Sequence, residues 1–350
     1  MDGLRDRKRP RPELDEELLI DHPTLYHEDG NAIIKCGRVL FCVHKSILAR
    51  QSPVFRGMLS AEGGHPTLRG LVLLELDDDK DDIEAFLNAI YDGMRVDMPK
   101  LTVENFPALA SAFRVAMKYE VARLRDDVLV ILKREWPSKL TEHIGKSNAF
   151  KAKLRPYLTA VSGARVPNPD YDPEASNVPI VHPSSVIALL REGGVQDVDL
   201  LAPLFYDLSR RIWQLGPPFS GHNIKYLPSA DVERLLYGSA TLRATHARMA
   251  STIPSAFIFP SQAHAHVHTT RHAHAMAAWW SSAIIPQLLH DIGHNMQGEP
   301  VEDWETARTQ AAQSLPHIAG DCVCCKGTLD YMSTCQTVLW DNIAGYFGLT

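Results

Sequence analysis

Between Thr24 and Trp136 the apolar residues fall in short groups with different spacings. Ala32–Cys36 and Val39–Val43 are two brief apolar runs joined by Gly37-Arg38, the pattern of a β-hairpin. The second run is apolar on both faces, which predicts a covered, central strand. Leu71–Leu76 predicts a third strand. Ser46–Ala49 and Pro53–Leu59 predict two short helices, the second capped by Ser52 with Pro53 in its first turn. Ile83, Phe86, Leu87, Ile90 and Tyr91 recur at i, i+3, i+4, i+7 and i+8, one apolar face of a helix. The acidic run Asp77–Asp82 supplies its cap, and Gly93 ends it. Thr102 is the expected cap of a helix carrying Phe106, Leu109, Ala110, Phe113 and Met117. Val121, Leu124, Val128, Ile131 and Leu132 make a last helix, stopped by Pro137. Three strands with at least four helices define an α+β unit, a small sheet flanked by helices.

Beyond Trp136 the pattern changes. Pro137–Pro179 has little periodicity and a Pro/Asp/Asn-rich centre, so it reads as a linker or long loop. Helical spacing returns in Val186–Leu190, Leu200–Trp213, Ala230–Leu242, Ala275–Leu289, Glu302–Leu315 and Leu329–Phe347. The expected organisation is a disordered basic tail over 1–20, an α+β domain over 21–136, a linker over 137–179 and a mainly α-helical domain over 180–350.

Composition bounds the class. The chain has 350 residues, 45% hydrophobic and 22% charged, enough to bury a core without staples. The net charge of −6 gives no global basic field for nucleic acid. Six cysteines, grouped near the two ends, are too sparse for a disulfide scaffold. Cys36 and Cys42 read as small buried hydrophobes. No apolar stretch opens the chain, so no secretory signal is expected. Ala273–Leu289 contains His274 and Pro286 and reads as a buried helix rather than a membrane span. The expected compartment is cytoplasmic or nuclear. Arg7-Lys8-Arg9-Pro10-Arg11 has two readings, a nuclear import signal or a solvated basic tail.

A family resemblance rests on an ordered set of residues. Asp29, then Val43-His44-Lys45-Ser46-Ile47-Leu48-Ala49, then Ser52-Pro53-Val54-Phe55 and Met58-Leu59 precede the strand Val72–Leu76 and the helix Ile83–Tyr91. This set resembles the BTB/POZ family and covers about a third of the chain. The remainder is similar to the helical extension of the large fungal (basidiomycete-type) set of BTB proteins. Leu200–Ser209, then Asp231, Leu235-Leu236 and Gly238, then Cys322, Cys325, Trp340 and Phe347-Gly348-Leu349 carry that likeness. The resemblance implies a non-enzymatic protein-interaction module, a homodimer or a partner-recruiting adaptor or regulator. It places Asp29, His44, Lys45 and Phe55 at an interaction or structural pocket, where a buried Asp would take a His or Lys partner. Some relatives recruit cullin-type ubiquitin ligases through a hydrophobic-x-Glu motif. Here Leu101-Thr102-Val103-Glu104 has Thr102 where the apolar residue should stand, which weakens the alternative of a ubiquitin-ligase substrate adaptor with a cullin partner and leaves it open. No cofactor, direct nucleic-acid contact or membrane contact is implied.

Three constellations offer chemistry instead. His264, His266, His268, His272 and His274 form a run whose imidazoles can ligate zinc, or lie in a solvated loop. Cys322 and Cys325, with Cys335 and His317, make one half of a zinc site, although Leu329, Met332, Cys335 and Leu339 also share a helical face. His290-Asp291 resembles the motif of HD-type metal-dependent phosphohydrolases, in which the metal activates water. His272 or His274, and Asp303, Asp321 or Asp330, are the candidate further ligands. The alternative there is a plain helix end, with His290 on the C-terminal dipole and Gly293 as cap.

Overall fold

The structure is a computed structural model. It describes residues 19–60, 64, 66–93, 100–159, 164–174, 180–210, 213–214, 222–224, 227–254, 270–289, 298–314 and 323–350. The described residues fall into two compact units. One holds those up to Lys100 together with Glu104–Ile131; the other holds Leu101–Val103 and those from Leu132 onward.

The first unit is built on one sheet. Its strands are β1 (Ile20–Tyr26), β2 (Ala32–Cys36), β3 (Val39–Val43), β4 (Thr67–Leu68) and β5 (Leu71–Leu76), in the order β1-β3-β2-β5-β4. β2 and β3 form the expected antiparallel hairpin, turning at Gly37 with φ +57°, where a side chain would be strained. β5 runs parallel to β2, and β1 runs parallel to β3. One sheet face carries Ile34, Phe41, Val43, Leu74 and Leu76 into the main core, with Phe55, Phe86 and Tyr119. The other carries Ile33, Leu40, Cys42 and Leu73. Both faces are covered, which is why the strands read as continuous apolar runs.

Helices α1 (Lys45–Gln51), α2 (Pro53–Leu59), α3 (Lys80–Tyr91), α4 (Phe106–Lys118) and α5 (Ala122–Glu135) follow; the unit boundary falls inside α5. Ser52 Oγ accepts from Phe55 N at 3.0 Å and donates to Tyr119 O at 2.5 Å, so one hydroxyl caps α2 and ties it to the end of α4. Asp79 caps α3 through Asp81 N at 2.8 Å, and Gly93 follows its end with φ +77°. Two expectations change here. The sheet has five strands rather than three, because β1 and β4 give no alternating apolar signal. The cap position of α4 is Asn105, not Thr102; a turn separates Thr102 from the helix.

The second unit is mainly helical. The stretch read as a linker contains α6 (Leu140–Leu154) and an antiparallel hairpin of β6 (Tyr157–Thr159) and β7 (Arg165–Pro167). α6 buries only His143, so its sequence carries no apolar stripe to reveal it. α7 (Pro183–Glu192) and α8 (Val198–Ser209) come next; α8 stops at Ser209, short of the expected Trp213. Short strands β8 (Trp213–Gln214) and β9 (His222–Asn223) pair in parallel. Then come α9 (Ser229–Ser251), α10 (Thr270–Trp279), a π turn (Trp280–Ile284), α11 (Ile285–Leu289), α12 (Pro300–Ser314), α13 (Val323–Asp341) and α14 (Ile343–Tyr346). A Cβ on Gly238 would lie 2.1 Å from Phe347 Cδ1, so the glycine is what lets that ring lie against α9. Phe347 also packs on Phe205, 5.5 Å between ring centroids. Three segments far apart in sequence therefore meet at one ring. No helix among the described residues is long and apolar enough to cross a membrane.

Candidate interaction site

The turn before β2 and the start of α1 bring Asp29 and His44 together. His27 N donates to Cys42 O at 3.0 Å and Gly30 N to His27 O at 3.1 Å, closing the turn. Gly30 is required, since a Cβ there would sit 2.5 Å from Cys42 Sγ. His44 occupies the cap position of α1 and uses both ring nitrogens elsewhere. Its Nε2 lies 3.2 Å from Asp29 Oδ2, and its Nδ1 lies 2.9 Å from Tyr91 Oη. Tyr91 Oη also accepts from His44 N at 2.9 Å. The His27 ring lies 4.7 Å from that of Tyr91, and its Nε2 is buried with no partner among the described residues.

Hydrogen bonding to His44, with the charge of that ring, holds the Asp29 carboxyl below its ordinary value. Burial raises the Tyr91 phenol. The Asp29 side chain is 85% exposed, so the expectation of a buried Asp is corrected: His44 reaches outward to it. Lys45 is tied through its backbone, Lys45 N donating to Asn31 Oδ1 at 2.8 Å. Phe55 is fully buried and stacks on Tyr119 at 4.4 Å, a core residue rather than a contact offered outward. The arrangement can position an exposed carboxylate beside an imidazole at the ends of β1 and β3.

The candidate metal ligands fare differently. Cys325 and Cys335 are buried, and burial pushes the Cys335 thiol up to about 11. Cys322 and His317 lie outside the described residues, as do His290, Asp291, His264, His266 and His268. His272 and His274 stand on α10. Among the described residues no group of three or more His, Cys, Asp or Glu is placed to hold a metal ion.

The sequence reading missed a buried polar network in the second unit. Glu302 Oε1 lies 2.7 Å from His143 Nε2 and accepts from Arg210 at 3.0 Å; Tyr206 Oη donates to its other oxygen. Arg210 also reaches Asp207 at 2.8 Å and Glu299 at 3.0 Å, and Trp136 Nε1 donates to Asp207 at 3.0 Å. Trp340 covers His143 at 4.3 Å and donates through Nε1 to Ser138 O at 2.6 Å. Burial alone would raise the Glu302 carboxyl, but the Arg210 charge and the bonds from His143 and Tyr206 outweigh it and hold it at about 2. The one sequence signal was a carboxylate in the first turn of an apolar-faced helix. Nothing local marks its partners.

The family model for the BTB/POZ domain matches residues 26–129. No curated protein and no solved structure matches the chain. The first unit is thus a BTB/POZ domain, a protein–protein interaction module, with a small mixed sheet flanked by helices, and a mainly helical region follows it.

Proposed function

We propose that this protein acts by binding proteins through its BTB/POZ unit, pairing first with a second copy of itself. The match over residues 26–129 carries this reading. The sheet supports it: among the described residues β1 is an edge strand, and Ile20 on it is 58% exposed. An open strand edge beside an exposed apolar side chain is a template for pairing. The helical unit then presents a second partner surface, in the manner of an adaptor or regulator. The likeness to the fungal BTB set supports that extension, since Phe205, Gly238 and Phe347, drawn from its three segments, meet at one point. A stable pairing buries at least ~1,000 Å². Light scattering on the full chain at tens of micromolar tests the proposal. The expected mass is twice 39.0 kDa. A mass that stays at 39.0 kDa over the whole concentration range would sink self-association.

A further inference from the structure

The second unit closes an aromatic cluster among α9, the π turn, α12 and α13. Trp304 on α12 is fully buried, 6.2 Å from Trp280 and 6.2 Å from Tyr331 between ring centroids. The ring of His246 on α9 stands 5.9 Å from Trp304 at 76°. Trp280 Nε1 donates to Ala250 O at 3.0 Å, and Tyr331 Oη to Met249 O at 3.0 Å. Among the described residues Trp304 Nε1 and His246 Nε2 have no partner, although both atoms are buried. Buried polar atoms left unpaired are rare and costly, and each calls for an explanation. The two stand on neighbouring rings, where a single polar group can serve both. The helix beside them is wound as a π segment over Trp280–Ile284, a distortion that recurs at functional sites.

The chemistry of the partner follows from the atoms. An indole N–H only donates, so the partner must accept. A neutral imidazole nitrogen either donates or accepts. Burial pushes the His246 ring down to about 4, so it is neutral near pH 7. None of the four rings then carries a charge to pair with an ion. A hydroxyl oxygen suits both nitrogens, accepting from the indole and bonding the imidazole on rings 5.9 Å apart. We propose that Trp304 and His246 form an internal site for one neutral hydroxyl oxygen, that of a buried water or of a small alcohol. The oxygen accepts from Trp304 Nε1 and bonds His246 Nε2. This site is independent of the BTB/POZ reading.

Nuclear magnetic resonance on the full chain labelled with ¹⁵N-tryptophan tests it. Trp304→Phe assigns the indole signal; should that variant not fold, substitutions at the other five tryptophans assign it by elimination. The expected result is a downfield indole proton with a cross-peak to water, lost in His246→Leu. Isopropanol, added as the probe, separates the sources. A saturable shift of this one signal assigns the oxygen to an alcohol, and an unmoved water cross-peak assigns it to water. An upfield indole proton with no cross-peak to either would place the N–H on the imidazole face and overturn the site. A cross-peak that survives His246→Leu would overturn the shared oxygen.

Discussion

A histidine meets a carboxylate in each unit of this chain, and the two meetings differ in kind. In the BTB/POZ unit His44 reaches Asp29 at 3.2 Å, and the carboxylate is 85% exposed. In the helical unit His143 reaches Glu302 at 2.7 Å, and the carboxylate is 2% exposed. Water screens the first pair, so little of the fold depends on it. The second pair has left water entirely. It is tolerable only because Arg210 and Tyr206 complete the shell of Glu302. The same two groups thus serve a surface in one unit and a core in the other. The exposed pair leaves a carboxylate free for a partner; the buried one joins α6, α8 and α12.

The largest effect that separates the two belongs to Glu302→Gln. It takes one of the three carboxylates from the shell of Arg210, leaving Asp207 and Glu299, and should cost about 3 kcal/mol in chemical denaturation. A loss below ~1 kcal/mol would show the network to be dispensable. Gly238→Ala comes next, forcing Phe347 out of contact with α9. Overpacking of this kind costs about 1–3 kcal/mol, read as a fall in the same midpoint. Acid sharpens the comparison further. The folded Glu302 carboxyl sits at about 2 against an ordinary 4.5, so its stabilisation is complete above 4.5 and lost as pH falls toward 2. Unfolding followed by circular dichroism should show the helical unit losing stability across that window. A stability flat from pH 5 to 2 would remove Glu302 from the account. The smallest effect belongs to Asp29→Asn. The melting temperature should stay unchanged, while binding of a partner seated against this carboxylate weakens. A lowered melting temperature would make Asp29 a structural residue after all.

Local features of the fold were legible. The β2–β3 hairpin, β5 and α3 follow from short-range apolar spacing and from the punctuation at Gly37 and Gly93. β1 was not legible. Its buried residues, His22 and Leu25, stand three apart with Pro23 between them, which breaks the alternation of a strand. α6 escaped because its one buried residue is a histidine whose partner lies 159 positions away. Part of the candidate site was legible too. Asp29 and His44 were named, and they meet. Tyr91 was read only as part of an apolar face, and its hydroxyl proves to receive His44. A phenol's two ends can serve core and pocket together, and spacing reports only the first.

Hydrogen–deuterium exchange of the full chain, compared between low and high protein concentration, tests most directly the claim that this protein works through its BTB/POZ surface. β1 and the start of α1 should gain protection as concentration rises, with α6, α8 and α12 unchanged. Concentration-dependent protection confined to the helical unit would contradict it.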